Sequence, residues 1–204
     1  MTLSLIEDAG VVVRPLTGAD LAASIDALAE LRIAVFRAYP YLYDGSLAYE
    51  RGYVEEFAAS AGAVLVAAFA GDTLIGAATA SPMAGQKEAF RAPFEAAGYD
   101  TATMVYFGES VLLPAWRGRG VGHAFFDHRE ARARQLGATH TTFCSVVRPP
   151  DHPARPAAYR PLDDFWRKRG YAPVEDLVTR FAWKDVGETG ESEKPMRFWM
   201  RRLD

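Results

Sequence analysis

Cysteine is almost missing from this sequence: Cys144 stands alone among 204 residues. An internal disulfide is excluded, and a reducing, cytoplasmic setting is the expectation. No apolar run approaches the ~20 residues that a bilayer-spanning helix needs. The opening MTLSLIEDAG is too short and too acidic for a secretory signal. No excess of one charge sign exists either. The net charge is −3, which gives no general reason to expect nucleic acid or an anionic membrane as a partner. The histidines, at 123, 128, 140 and 152, lack metal-ligand spacing. His123 and His128 would fall on different faces of a helix, so no metal site is expected. Internal repeats and low-complexity tracts are absent. With 50% hydrophobic residues, residues 1–204 read as one domain, burying about 70% of the unfolded surface.

Periodicity outlines the elements. Val11 to Leu16 reads as a strand. Thr17, as an N-cap, opens a helix whose Leu21, Ile25, Leu28, Leu31 and Val35 recur at steps of three and four. That helix ends before Pro40, and a second covers Tyr49 to Ser60. Val64 to Phe69 and Thr73 to Ala80 form a hairpin about Ala70-Gly71-Asp72. A short helix is expected near Glu88 to Ala97. Met104 to Leu113 is a strand, broken at Gly108 and stopped by Pro114. A helix then runs from Val121 to Leu136 with Gly137 as its C-cap. Thr141 to Val147 is a strand, Arg148 to Pro161 an irregular proline-rich loop, and Leu162 to Arg169 a short helix capped by Gly170. Strands at Leu177 to Trp183 and Met196 to Leu203 flank a polar linker, Asp185 to Glu193. The fold class is α/β (α+β): a mixed sheet with helices on its faces.

Gly118, Gly120 and Gly122 crowd into five residues where the helix must begin. A helix N-terminus leaves backbone N–H groups unpaired and carries partial positive charge. Glycines remove the Cβ atoms that would hold a ligand away, and a strand feeding such a turn is an anion site. Arg117 and Arg119 add charge at its mouth. A P-loop would need a lysine and a hydroxyl after the last glycine, and none follows. A dinucleotide fingerprint needs GxGxxG in the first βα unit; here the spacing is GxGxG, past residue 100.

The pattern that fits is [RQ]-x-x-G-x-[GA], here Arg117-Gly118-Arg119-Gly120-Val121-Gly122, after a strand ending Val-Leu-Leu-Pro. It resembles the signature of the GNAT superfamily, the Gcn5-related N-acetyltransferases. DFWRKRGY (Asp164 to Tyr171) is similar to the family's FYxKxGF element, and the element order matches over nearly the whole chain. The resemblance implies a GNAT fold: a mixed, mostly antiparallel, twisted sheet flanked by helices on both faces. It implies acetyl-CoA as donor, its pyrophosphate on the amides of Gly118 to His123. It also implies a strand that splays from its neighbour and pairs with the pantetheine arm through Ser110, Val111 and Leu112. No metal is implied.

Acetyl transfer to an amine requires that the amine lose a proton, that an oxyanion be stabilised, and that a thiolate depart. Glu109, beside Gly108 on the strand that presents the thioester, is the candidate base; the competing reading is a strand carboxylate paired with an arginine. A backbone N–H near Leu112 is the expected oxyanion donor. Where the family usually places a tyrosine to protonate the thiolate, this chain has Trp166. Tyr159, Tyr171 and Cys144 are substitutes, or the thiolate leaves unprotonated. Cys144 otherwise reads as a small buried hydrophobe. The acceptor side is expected from Phe36 to Ser46, with three tyrosines and Asp44, and from Arg148 to Arg160, with Arg148, His152, Arg155 and Arg160. A stiff basic loop suits an acceptor bearing a carboxylate or phosphate. A peptide or protein amine is another reading; a polyamine or aminoglycoside would want more acid. A non-catalytic acyl-CoA-binding or sensing module is the alternative from a different class. The final strand, with Trp199, is a candidate contact for a homodimer.

Overall fold

The computed structural model describes residues 4–6 and 10–204. The described residues form, in chain order, β1 (Ser4–Ile6), β2 (Val11–Leu16), α1 (Gly18–Phe36), α2 (Leu47–Ala59), β3 (Val64–Ala70), β4 (Thr73–Pro82) and α3 (Glu88–Ala96). There follow β5 (Met104–Tyr106), β6 (Ser110–Leu112), α4 (Val121–Gln135), β7 (His140–Val146), α5 (Asp163–Lys168), β8 (Ala172–Trp183) and β9 (Ser192–Arg202). The strands make one sheet in the order β1-β2-β3-β4-β5-β7-β9-β8, with β6 paired to β4 off this path. Every pairing is antiparallel except β5 with β7. A parallel pair needs a crossover, and β6 and α4 supply it.

Alternation in the strands sends side chains to two cores. Leu65 and Ala67 of β3 pack with Leu28 and Leu31 of α1 and Val54 of α2. Val66 and Ala68, next in sequence, face Val121, Ala124 and Phe125 of α4 on the opposite side. Each fully buried phenylalanine or leucine contributes about 2–3 kcal/mol, so these two layers fix α1 and α4 on opposite faces of the same strands. Further along the sheet, Phe90 and Phe94 of α3 cover Tyr106 and Phe198. The later turns of α4, with Phe165 and Trp166 of α5, cover Phe107, Phe143, Tyr171 and Trp199.

Both glycine-capped helix ends are present. Gly137 and Gly170 take positive φ. Ala138 N–H returns to Ala133 O at 3.0 Å and Tyr171 N–H to Trp166 O at 3.0 Å, the hydrogen bond of a Schellman cap. Elsewhere the structure departs from the sequence reading. Thr17 occupies the N-cap of α1, but its hydroxyl makes no cap bond; the chain turns in through Gly18 at φ +53°. The last hairpin is longer than expected. β8 starts at Ala172, with a bulge between Pro173 and Val178, and β9 reaches back to Ser192 because ladder bonds hold its polar residues in line. β9 lies between β7 and β8, so Trp199 is in the core, 1% exposed. The expectation that Trp199 marks an exposed subunit contact is thereby corrected.

Candidate active site

The sheet parts in its middle. β5 runs beside β7 as far as Tyr106 opposite Thr142, and Phe107 N–H donates to Thr142 O at 2.8 Å. Beyond that point the chain follows β4 alone. Ser81 faces Tyr106 and Ala78 faces Ser110, so two residues of β4 oppose three, Phe107, Gly108 and Glu109. That is a β-bulge, which bends its strand and re-aims a side chain. Thr79 holds the bulge: its N–H donates to Glu109 O, its carbonyl accepts from Gly108 N–H, both at 3.1 Å, and its hydroxyl accepts from Glu109 N–H at 3.2 Å. A Cβ at Gly108 would lie 2.7 Å from that hydroxyl, so only glycine permits this approach.

After the bulge, Leu113 N–H donates to Ile75 O at 2.9 Å, as Glu109 O accepts from Thr79. By the alternation of an antiparallel ladder, residues 109, 111 and 113 direct their peptide groups at β4. Ser110 and Leu112 direct theirs at the open edge, where β7 has diverged. Val111 turns its side chain into the α1 core, fully buried. Arg117 Nε donates to Leu112 O at 3.2 Å.

The glycine turn follows directly. Gly118 and Gly120 have φ of +75° and +85°, and a Cβ at either would meet open space. Their requirement is therefore the left-handed backbone rather than clearance from protein. Gly122 is helical, and a Cβ there would touch the Phe165 ring at 3.4 Å. Among the described residues, no acceptor meets the amides of Gly118, Arg119, Gly120, Val121 or Gly122, while His123 N–H donates to Gly120 O at 2.9 Å. Five free amides at the positive end of a 15-residue helix suit a polyanion. The Arg119 guanidinium lies 5.0 Å from the Trp116 ring centre.

Glu109 points to the α1 face. Its carboxylate pairs with Arg32, and Arg32 pairs in turn with Glu50 of α2. The Arg32 guanidinium is 4.1 Å from the Tyr53 ring centre and 5.3 Å from that of Phe36. Burial, with the Glu50 carboxylate nearby, raises the Tyr43 hydroxyl above its ordinary range. From the opposite face, the Arg129 guanidinium reaches Glu109 O at 3.0 Å. Neither Arg32, Glu50 nor Arg129 emerged from the sequence reading. The signal was present: Arg32 follows Leu28 by four, and Arg129 follows Phe125 by four. Each is an arginine where helical period calls for an apolar side chain.

The other sequence candidates distribute differently. Tyr159, in the loop before α5, stands edge-on to Tyr39 with ring centres 4.7 Å apart, and Arg155 lies 5.1 Å from its ring centre. Burial raises its hydroxyl pKa. Trp166 packs between Phe143 and Trp199. Tyr171 OH is bound to Thr141 Oγ1 at 2.8 Å and Glu130 Oε1 at 3.2 Å, on the α4 side of the sheet. Cys144 Sγ is 3.1 Å from Tyr106 OH, and burial pushes its thiol up to about 12. Arg148 and Asp44, expected at the acceptor side, are engaged in holding the loop after α1. Arg148 pairs with Asp185 at 2.7 Å and donates to Pro40 O and Tyr41 O. Asp44 binds Lys184 and Arg37, which lower its carboxyl pKa. Residues 37–46 are thereby fastened to the β8–β9 hairpin. Among the described residues, no group of three or more His, Cys, Asp or Glu could hold a metal ion, and no helix is long and apolar enough to cross a membrane.

Comparison with known proteins agrees with this geometry. The protein yncA of Salmonella typhimurium, solved with its cofactor acetyl-CoA, superposes with a TM-score of 0.59 at 16% identity, covering 96% of this chain and 95% of that one. A ribosomal-protein-alanine N-acetyltransferase from Brucella melitensis gives 0.57 at 16% identity, over 94% and 99%. An aminoglycoside 6'-acetyltransferase type Ii gives 0.58 at 17% identity, over 93% and 96%. At these identities the likeness is one of fold. No protein of curated function matches in sequence. The model of the acetyltransferase (GNAT) family matches residues 27–163, about two thirds of the chain, and the protein belongs to that family.

Proposed function

We propose that this protein transfers the acetyl group of acetyl-CoA to a primary amine of a small molecule, by direct attack in a ternary complex. The carrying observation is the pairing of two features: the open edge of β6, where Leu112 O holds Arg117 but the outward groups of Ser110 and the Leu112 N–H have no partner among the described residues, and, a few residues on, five amides without an acceptor. An extended arm ending in a diphosphate would satisfy both. The amides of Gly118, Arg119, Gly120, Val121 and Gly122 take the pyrophosphate, with Arg117 and Arg119 adding charge and the His123 side chain at the rim. Ser110 and Leu112 pair with the pantetheine arm, and buried Val111 anchors the strand they stand on.

The donor supplies an activated thioester carbonyl. Glu109 draws the acceptor ammonium toward the bulge and accepts its proton, so that the amine nitrogen can bond to the carbonyl carbon as the carbon–sulfur bond breaks. The thiolate takes a proton from the Tyr159 hydroxyl, which is neutral at physiological pH, and the proton that the acylated nitrogen sheds returns through solvent to the Tyr159 oxygen. Holding both substrates in one cleft supplies much of the remaining acceleration. The strap of residues 37–46 supports a small acceptor. It runs from the end of α1, which packs over β6, to β8–β9 beyond β7, and so crosses the parting of the sheet on the Glu109 side.

The test is thiol release from acetyl-CoA across a library of small amines and of peptides. Release with small amines, and little with peptides, is the expected result. Release with peptides alone would move the acceptor to protein chains. Tight CoA binding without release from any amine would make the protein a binding module.

A further inference from the structure

Arg129 takes no part in the steps above, yet it is one of the largest fully buried side chains, 1% exposed. It stands on the buried stripe of α4 between Phe125 and Ala133. Its Nη1 donates to Glu109 O at 3.0 Å and Thr79 O at 3.4 Å, and its Nε returns to Phe125 O at 3.1 Å. The guanidinium lies 4.3 Å from the Phe107 ring centre and 4.7 Å from that of Phe126. Among the described residues, no carboxylate is within ion-pairing distance of it, and Nη2 is buried without an acceptor. Burial lowers its pKa to about 10, so the charge persists at neutral pH.

Neither carbonyl needs this arginine to be satisfied. Glu109 O already accepts from Thr79 N–H, and Thr79 O from Gly108 N–H. What Arg129 adds is a buried positive charge at one end of the Glu109–Ser110 peptide. The other end of that planar, trans unit is the Ser110 N–H, which points into the parting of β6 and β7. A peptide polarised at its oxygen is a stronger donor at its nitrogen. We infer that Arg129 is a positioning residue for acetyl transfer. By donating to Glu109 O it fixes the bulge and polarises the Glu109–Ser110 peptide, so that the Ser110 N–H stabilises the charge developing on the thioester oxygen. The inference rests on the acetyl-CoA reading and specifies which backbone group acts and what strengthens it.

The test compares wild type with Arg129→Met, Arg129→Lys and Ser110→Pro. The proline removes the outward N–H without touching the bonds to β4. Steady-state kinetics are read beside CoA affinity by calorimetry and the infrared carbonyl band of bound acetyl-CoA labelled with carbon-13 at the carbonyl. Arg129→Met is expected to lower kcat about tenfold or more while KM for acetyl-CoA and the Kd of CoA move less than about threefold. Its carbonyl band returns toward the frequency in water. Arg129→Lys restores part of both, and Ser110→Pro loses both. If Arg129→Met does not fold, Ser110→Pro decides. A band and kcat unchanged in Arg129→Met or in Ser110→Pro overturn the inference, as does a rise in KM with kcat intact. A wild type that binds no acetyl-CoA overturns the donor reading and this inference together. One that binds it without releasing thiol overturns only the transfer reading, and the infrared band still decides the polarisation.

Discussion

Arg32 of α1 and Glu109 of the bulge are ion-paired with side chains only 9% and 8% exposed. Arg32 also holds Glu50, so Glu109→Gln leaves the arginine a partner and alters charge more than shape. The variant is expected to lower kcat/KM about 100-fold, in the range typical of a lost general base, with little change in midpoint temperature. Full activity of Glu109→Gln across the pH range would return Glu109 to a purely structural role. Arg32→Met, by contrast, leaves two buried carboxylates without their shared cation and should cost about 3–5 kcal/mol in urea unfolding.

The three glycines of the turn should not respond alike. Gly120→Ala places a Cβ on a residue at φ +85°, which costs about 1–2 kcal/mol of stability. Gly122→Ala sits in helical backbone with only a light contact to Phe165, and the helix gains up to about 0.5–1 kcal/mol from the change. Urea unfolding of the two variants should therefore move in opposite directions. A matching loss in both would mean that the turn is limited by space.

Arg148→Met tests the strap. Asp185 would keep Lys194 at 3.4 Å and Tyr41 O would keep the Trp183 indole, but Pro40 O would lose its donor. A loss of about 3 kcal/mol is expected on breaking such a buried pair, measured as a lower urea midpoint. A change under about 0.5 kcal/mol, the range of ordinary surface substitutions, would show that the strap is held by something else.

Glu188, in the turn between β8 and β9, is held at about 2 by the Asp185 N–H first, then by Lys194 and Ser192. Its folded pKa lies below the ordinary glutamate value of 4.5. Its stabilising contribution is therefore present above that value and is lost as pH falls toward 2. The midpoint difference between wild type and Glu188→Gln should be constant above about pH 6 and shrink through this acid window. A difference that grew on acidification would contradict the assignment.

Most elements were legible because their signals are local. Thr73 to Ala80, Val121 to Leu136 and the two C-cap glycines follow from period and from backbone preference alone. The bulge was half visible: Gly108 announced a break, but the extra residue opposite Thr79 exists only in the pairing. The same limit hid the start of β8, where Asp176 at φ +65° interrupts a strand with no apolar alternation. At the site, the glycine turn was readable because a helix start is a local event. The assembly of Arg32, Glu50 and Arg129 around Glu109 was not, since it joins residues 32, 50, 79, 109 and 129. The misplaced emphasis on Arg148 and Asp44 has the same origin. A charged residue in a loop looks available until the hairpin that binds it, more than 30 residues later, is in place.

An unmated strand border usually invites a second molecule to add itself, and proteins guard against this with charge, proline or cover. Here the exposed ladder positions of β6 lie in the crotch between two diverging strands, in the interior of the sheet and not at its rim. A strand arriving from outside would have to enter between β4 and β7 rather than lie along the rim, and β6, three residues long, offers it little ladder to join. The break in the sheet is thus guarded by its position, with neither charge nor proline on the strand itself.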